Sequence, residues 1–178
     1  MRLSTTLACT FLVTSPAFGV DSQDETPPEP TETTTACEEG QIYDAAAKAC
    51  VDAEKQSFND DDRYRAIREL AYAGDYRRAR LVLAAVENPQ DAGFLNYQGF
   101  IARKEGRMAA AMAHYQAALR ADPDYLLARS YMCMGLVVMG DVTAAETQLE
   151  EIAARGGHAT WAFAALQRAI AGEPSGDY

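Results

Sequence analysis

The sequence predicts an all-α protein built as a short solenoid of repeated helix pairs, and three observations support this fold class. Three glycines that each precede an apolar stretch, Gly74, Gly106 and Gly140, are spaced 32 and 34 residues apart. An amphipathic segment also lies upstream of each glycine. An alanine follows each glycine after five residues and a large apolar residue follows after four more: Ala79 and Leu83, Ala111 and Tyr115, Ala145 and Leu149. A period of this size is typical of helical arrays in which each unit packs only on its neighbours.

Residues 1–19 have the layout of a secretory signal peptide. Arg2 gives a positive start, residues 3–13 are mostly apolar or small, and small residues follow up to Ala17 and Gly19. We expect cleavage after Ala17 or Gly19 and a mature protein that is periplasmic, of bacterial type, or secreted. The apolar stretch is too short to span a bilayer as a helix. An amphipathic N-terminus that is not cleaved is the alternative interpretation.

The next segment, residues 20–36, is acidic and rich in proline and threonine, with almost no large apolar side chains. Such a composition cannot bury enough surface to offset the chain entropy lost on ordering, so it predicts a disordered linker. The simplest role is that of a spacer. Glycosylation or partner binding by this segment is the alternative.

Two cysteines frame the segment 37–58. In an oxidising compartment Cys37 and Cys50 are natural partners, and the flanking Ile42, Tyr43 and Val51 can pair as a small hairpin. A disulfide over so short a loop contributes about 3 kcal/mol in the chain-entropy model. A metal site would need more ligands than two thiols, and a redox pair is more typically Cys-x-x-Cys. We therefore predict a disulfide-closed hairpin.

The repeats divide the remaining chain into residues 60–91, 92–125 and 126–159, followed by a single capping helix at 160–172. In the capping helix Trp161, Ala165 and Ile170 are expected to cover the third unit. A solenoid needs such a cap because its last unit would otherwise leave an apolar face in water. An unrelated helical bundle with accidental periodicity is the alternative fold.

Residue types in the middle unit fit a closely packed helix pair. Gly99 and Ala111 are small where the two helices cross, Gly106 allows a tight turn, and Pro123 ends the second helix. With Leu95, Tyr115, Ala118 and Leu119, these residues resemble the tetratricopeptide repeat family. The resemblance covers about 110 of 178 residues and implies a right-handed α-solenoid of about three helix pairs. It is weakest in the first unit, where Ile67 takes the small-residue position.

The resemblance also implies a binding surface, because the first helix of each unit lines the concave face in this family. Carried over by alignment, that surface comprises Tyr64, Arg68, Tyr72, Asn96, Phe100, Arg103, Lys104, Ser130, Met134, Val137 and Val138. It is aromatic and basic at one end and apolar at the other. A peptide carboxylate or acidic side chains could be bound by Arg68, Arg103, Lys104 and Asn96. As an alternative, Arg103 and Lys104 form only the charged end of a helix.

Composition and motifs argue against several classes of function. A formal net charge of −10 and a pI near 4.6 disfavour nucleic acid and anionic membranes as partners. Neither histidine, His114 or His158, lies beside a recognisable nucleophile, and no phosphate loop or zinc motif occurs. The acidic run at 59–62 suits a helix start better than calcium binding. We therefore predict no catalytic site, no cofactor and no metal.

Taken together, these features predict a non-catalytic scaffold for protein–protein interaction. It would bind a peptide segment of an envelope protein, of unknown identity, in the concave groove. The alternative is a self-assembling or structural subunit of a larger cell-envelope complex, which would use exposed methionine and valine side chains.

Overall fold

The computed structural model describes residues 27–173, and the predicted signal peptide at 1–19 lies outside the described residues. The described chain begins with a short helix and a hairpin, α1 (Glu32–Thr35), β1 (Gln41–Asp44) and β2 (Ala49–Asp52). Seven longer helices follow: α2 (Asp60–Tyr72), α3 (Tyr76–Leu83), α4 (Ala92–Lys104), α5 (Met108–Ala121), α6 (Leu126–Val138), α7 (Val142–Ala154) and α8 (Trp161–Ile170). A 3₁₀ turn, Gly157–Ala159, precedes α8.

The long helices pack in adjacent pairs, α2 with α3, α4 with α5, and α6 with α7, and α8 packs against the last pair. This confirms the predicted array of helix pairs, while the right-handed sense of the solenoid stays a prediction. The periodic glycines lie in the turns inside the pairs. Gly74, Gly106 and Gly140 have φ values of 78°, 75° and 80°, a left-handed conformation that glycine adopts without strain.

The acidic run before α2 acts as a helix cap. The Asn59 side chain accepts a hydrogen bond from the main-chain N–H of Asp62, and the Asp62 carboxylate accepts one from the N–H of Asn59. This reciprocal pair is a capping box, which satisfies two otherwise unpaired donors at the start of a helix. The cap interpretation of residues 59–62 is confirmed.

The N-terminal hairpin is closed by the predicted disulfide between Cys37 and Cys50, which is confirmed. β1 and β2 pair antiparallel, with Ile42 opposite Val51. Ile42 is buried and belongs to the same core as Ile67 and Leu70 of α2. The hairpin therefore covers the first helix pair on its N-terminal side, much as α8 covers the last pair.

The disordered linker predicted at 20–36 requires a correction over its last residues. Thr31 caps α1 and donates from both its N–H and its hydroxyl to the carboxylate of Glu69, each at 2.8 Å. Thr34 donates to the same carboxylate, and Arg78 donates to the carbonyls of Thr33 and Thr34. Residues 31–35 are thus ordered by hydrogen bonds rather than by apolar burial, and threonine offers such bonds readily. Apolar content alone does not reveal these hydrogen bonds.

The capping helix is held by a small apolar cluster and by a hydrogen bond from α6. Leu166 of α8 is buried with Cys133, Ala145 and Ile152 from the third pair. Ser130 donates a hydrogen bond from its hydroxyl to the carbonyl of Ala162 at 3.1 Å. Burial raises the pKa of the Cys133 thiol to about 12, which fits the behaviour of a small buried apolar side chain rather than a reactive thiol.

Candidate functional site

An aromatic row runs across the first helices of all three pairs and ends at the capping helix. It consists of Tyr72 on α2, Phe100 on α4, Tyr131 on α6 and Trp161 on α8. Tyr72 stacks on Phe100 with ring centroids 5.5 Å apart, and Phe100 and Tyr131 follow at 5.2 Å. Tyr131 and Trp161 meet edge to face at 6.4 Å. Offset and edge-to-face contacts of this kind are favourable for aromatic rings, so the row links the pairs along one face.

Three cations lie over this row. The guanidinium carbon of Arg68 is 5.9 Å from the centroid of Tyr72, and that of Arg103 is 5.5 Å from Phe100 and 5.7 Å from Tyr131. The ammonium nitrogen of Lys104 is 5.7 Å from Phe100. These distances are those of cation–π contacts. We call Arg68, Arg103 and Lys104, with the aromatic row beneath them, the cationic face.

Arg103 is held at the centre of this face. Its Nε donates to the hydroxyl of Tyr115 at 3.4 Å. Its Nη2 is buried and, in the part of the chain that the structure describes, has no hydrogen-bond acceptor. A buried cationic N–H without an acceptor costs free energy.

The structure corrects the predicted groove in one respect, because several of its residues belong to the core. Asn96 and Ser130 are fully buried and Phe100 is 1% exposed, so their side chains do not offer an open binding surface. Tyr64, Met134 and Arg68 are also buried, with Arg68 only 7% exposed. Their contacts join neighbouring pairs: Asn96 donates its amide N–H to the Tyr125 hydroxyl at 3.2 Å, and the Tyr64 ring packs edge to face on Phe94 and Tyr97.

The groove is shallow because its own tyrosines bridge it. The hydroxyl oxygens of Tyr72 and Tyr131 are 2.5 Å apart, and both rings contact Phe100. This hydrogen bond joins the first and third pairs across the second. A ligand on this side therefore meets the half-buried edges of Tyr72, Arg103 and Lys104, rather than the floor of a deep channel.

The other end of the predicted groove is apolar and more open. Val137 is half-buried, whereas Val138 is 71% exposed. Across the α6–α7 turn, Met139 and Val142 are 48% and 39% exposed. We call Val138, Met139 and Val142 the apolar patch. The alignment indicated Val138 only.

Sequence reasoning also missed Tyr131 as part of the binding face, although a signal was present. Tyr72, Phe100, Tyr131 and Trp161 follow one another at intervals of 28, 31 and 30 residues. The first two intervals are four and three residues shorter than the glycine spacings of 32 and 34, which is about one helical turn. The aromatic residue therefore lies about one turn nearer the start of each successive first helix, and a drift of this kind predicts a row that crosses the helices obliquely.

The described residues offer neither a membrane-spanning helix nor a cluster of metal ligands. Within residues 27–173, no helix combines the length and the apolar character needed to cross a bilayer. The same residues contain no group of three or more histidine, cysteine, aspartate or glutamate side chains placed to hold a metal ion.

Comparison with known proteins identifies the repeats. Residues 102–170, from the end of α4 through α8, match the family model described as tetratricopeptide repeat. No curated protein and no solved structure gives a significant match to the chain. Tetratricopeptide repeats mediate protein–protein interaction and are typically non-catalytic. The resemblance seen in the sequence is confirmed for this part of the chain, and residues 102–170 belong to the tetratricopeptide repeat family.

Proposed function

We propose that this protein is a non-catalytic scaffold that binds an acidic peptide segment of a partner protein on the cationic face. The observation that carries the proposal is the guanidinium of Arg103, held over two aromatic rings with one buried nitrogen unsatisfied. Carboxylates form charge-assisted hydrogen bonds with such a group, and these are stronger than neutral ones.

The charge distribution supports an acidic ligand. The whole chain carries a formal charge of −10, yet Arg68, Arg103 and Lys104 gather over one row of aromatic rings. A local positive potential in an otherwise acidic protein attracts anionic segments of a partner and disfavours the binding of neutral or cationic ones. The half-buried edge of Tyr72 adds contact area for an apolar side chain beside the acidic ones.

The proposed compartment is the periplasm, or the exterior of the cell, and the proposed partner is an envelope protein. The pattern of residues 1–19 supports export. The disulfide between Cys37 and Cys50 supports it independently, because such bonds persist in oxidising compartments and are rare in the cytosol.

The double substitution Arg103→Glu/Lys104→Glu tests this proposal. We expect crosslinking pull-down from an envelope extract to capture a partner with the unchanged protein and not with the variant. A synthetic peptide of the captured segment should bind the variant about a hundredfold more weakly, because two charge-assisted hydrogen bonds are replaced by repulsion.

The matched control is Arg65→Glu/Arg77→Glu, which makes the same charge change at two arginines whose side chains are 69% and 72% exposed. This control should bind the peptide like the unchanged protein. Replacing the acidic residues of the peptide by their amides should weaken binding to the unchanged protein. Equal binding of the peptide by both double variants would place the interface elsewhere.

Self-association is a second candidate function, favoured by the apolar patch. Contiguous exposed apolar side chains are uncommon on monomeric proteins and often mark contact surfaces. If the patch joins two copies, Val138→Asp should shift the molar mass measured by light scattering towards the monomer over a concentration series. Leu81→Asp, at an isolated side chain that is 42% exposed, is the control. A wild-type protein that stays monomeric throughout the series would exclude this candidate.

A further inference from the structure

A separate pocket lies between α3, α4 and α5, outside the cationic face. Its volume is about 270 Å³. Its apolar part is formed by Leu83 and Ile101, which are 9% and 1% exposed. The polar side chains that line it are Arg80, Gln98, Arg107 and His114. The pocket thus combines a small apolar wall with several convergent polar groups, and such polar groups fix the orientation of a ligand in small-molecule sites.

Two arginines of this pocket already hold one carboxylate. Arg107 donates to Oε2 of Glu105 from Nε at 3.1 Å and from Nη2 at 2.6 Å, and Arg80 donates to Oε1. The hydrogen bonds from Arg107 and Arg80 lower the pKa of Glu105, so this carboxylate is ionised at neutral pH. The spacing of the two guanidinium groups therefore suits a carboxylate.

The pocket keeps a positive charge after this pairing. Arg80 and Arg107 contribute two positive charges against one negative charge from Glu105. Each guanidinium has five N–H donors, so the three hydrogen bonds to Glu105 leave donors for a second anion. The pKa of His114 is lowered by burial and by the nearby charge of Arg107, which favours the neutral imidazole, a form with one N–H donor.

We propose that this pocket is a second binding site, for a carboxylate carried on a short branched aliphatic group. Arg80 and Arg107 would bind the carboxylate, and Leu83 and Ile101 would contact the aliphatic part. A volume near 270 Å³ suits a ligand about the size of one acylated amino acid, smaller than those of drug-sized pockets. A free organic acid and the last residue of a peptide share this chemistry. The inference does not depend on the function proposed for the cationic face.

The experiment titrates the full chain with N-acetyl-leucine and follows the imidazole protons of His114 by NMR. We expect a saturable shift at His114 and none at His158, the other histidine, which is exposed in the 3₁₀ turn. N-acetyl-leucinamide, which lacks the charge, should give no saturable shift. Arg80→Gln and Arg107→Gln should each weaken binding about tenfold or more, as expected for loss of a charge-assisted hydrogen bond.

Arg65→Gln is the matched control, because it removes an exposed arginine that is also ion-paired but lies on α2. It should leave the affinity unchanged.

A peptide ending in leucine, compared with its C-terminal amide, distinguishes the two sources of carboxylate, and binding of either acid supports the site. Unchanged circular dichroism shows that a variant is folded. Absence of a saturable shift at His114 with both acids, or equal affinity in folded Arg80→Gln, would overturn the inference.

Discussion

Replacing Gly99 by leucine is expected to lower the free energy of unfolding by about 3 kcal/mol or more, a large fraction of the total stability of a small domain. A Cβ atom at position 99 would lie 2.6 Å, 2.7 Å and 3.1 Å from three ring carbons of Tyr115. Tyr115 is fully buried and Gly99 is buried against it, so the ring has no open space to enter. Helices α4 and α5 would have to move apart, which would disrupt the core between them.

Urea denaturation followed by circular dichroism measures this effect. Ala113→Leu adds apolar bulk at an exposed position on α5 and should change stability by no more than about 0.5 kcal/mol. Tyr115→Ala alone should cost about 3 to 5 kcal/mol, because it leaves a cavity.

The double variant Gly99→Leu/Tyr115→Ala separates overpacking from other causes. If leucine is harmful because it meets the Tyr115 ring, removing the ring makes room for it. The double variant should then be clearly more stable than the sum of the two single effects predicts. Strict additivity, or a Gly99→Leu protein of unchanged stability, would contradict the close crossing of α4 and α5.

The helix pairs could be predicted from sequence because each pair depends on local geometry. A turn that needs a left-handed residue selects glycine, and a close helix crossing selects a small residue opposite a large one. Gly106 and the pair Gly99–Tyr115 carry these two signals, and the structure places both where the repeat alignment does. The same reasoning applies to Cys37 and Cys50, which are near each other in the sequence and form the disulfide of a short hairpin.

The depth of the groove could not be predicted, because it depends on residues far apart in the chain. The alignment places Tyr72 and Asn96 on first helices, but it does not show which side chains neighbouring pairs cover. The hydrogen bond between Tyr72 and Tyr131 spans 59 residues and depends on how the pairs are stacked. The pocket beside Arg80 and Arg107 was missed for the same reason, since three helices bring its side chains together.

The free energy of unfolding is expected to fall steeply at alkaline pH, because several tyrosines lie in the core. Tyr97, Tyr115, Tyr125 and Tyr131 are all fully buried. Burial raises the pKa of Tyr115 to about 12 and the pKa values of the other three well above the ordinary value. In an unfolded chain the same hydroxyl groups ionise near pH 10.

The direction of the effect follows from proton binding. Above about pH 10 the unfolded chain loses these protons while the folded protein retains them, so the unfolded state is favoured as pH rises. Each such tyrosine lowers the free energy of unfolding by roughly 1.4 kcal/mol per pH unit in this range, and four of them by roughly 5.5 kcal/mol per unit. Below the ordinary tyrosine pKa the contribution is fully present and does not vary with pH.

Urea denaturation at a series of pH values from about 8 to 11 measures this slope, and tyrosinate absorbance shows when the hydroxyl groups ionise. Tyr97→Phe retains the ring and removes one titrating group, so the slope should fall by roughly 1.4 kcal/mol per pH unit. Phe94→Leu, at a buried aromatic residue on the same helix that does not titrate, should lower stability equally at every pH and leave the slope unchanged. The chain has nine tyrosines, and ionisation of all nine near pH 10 with the helical signal intact would mean that water reaches the four buried hydroxyl groups in the folded protein.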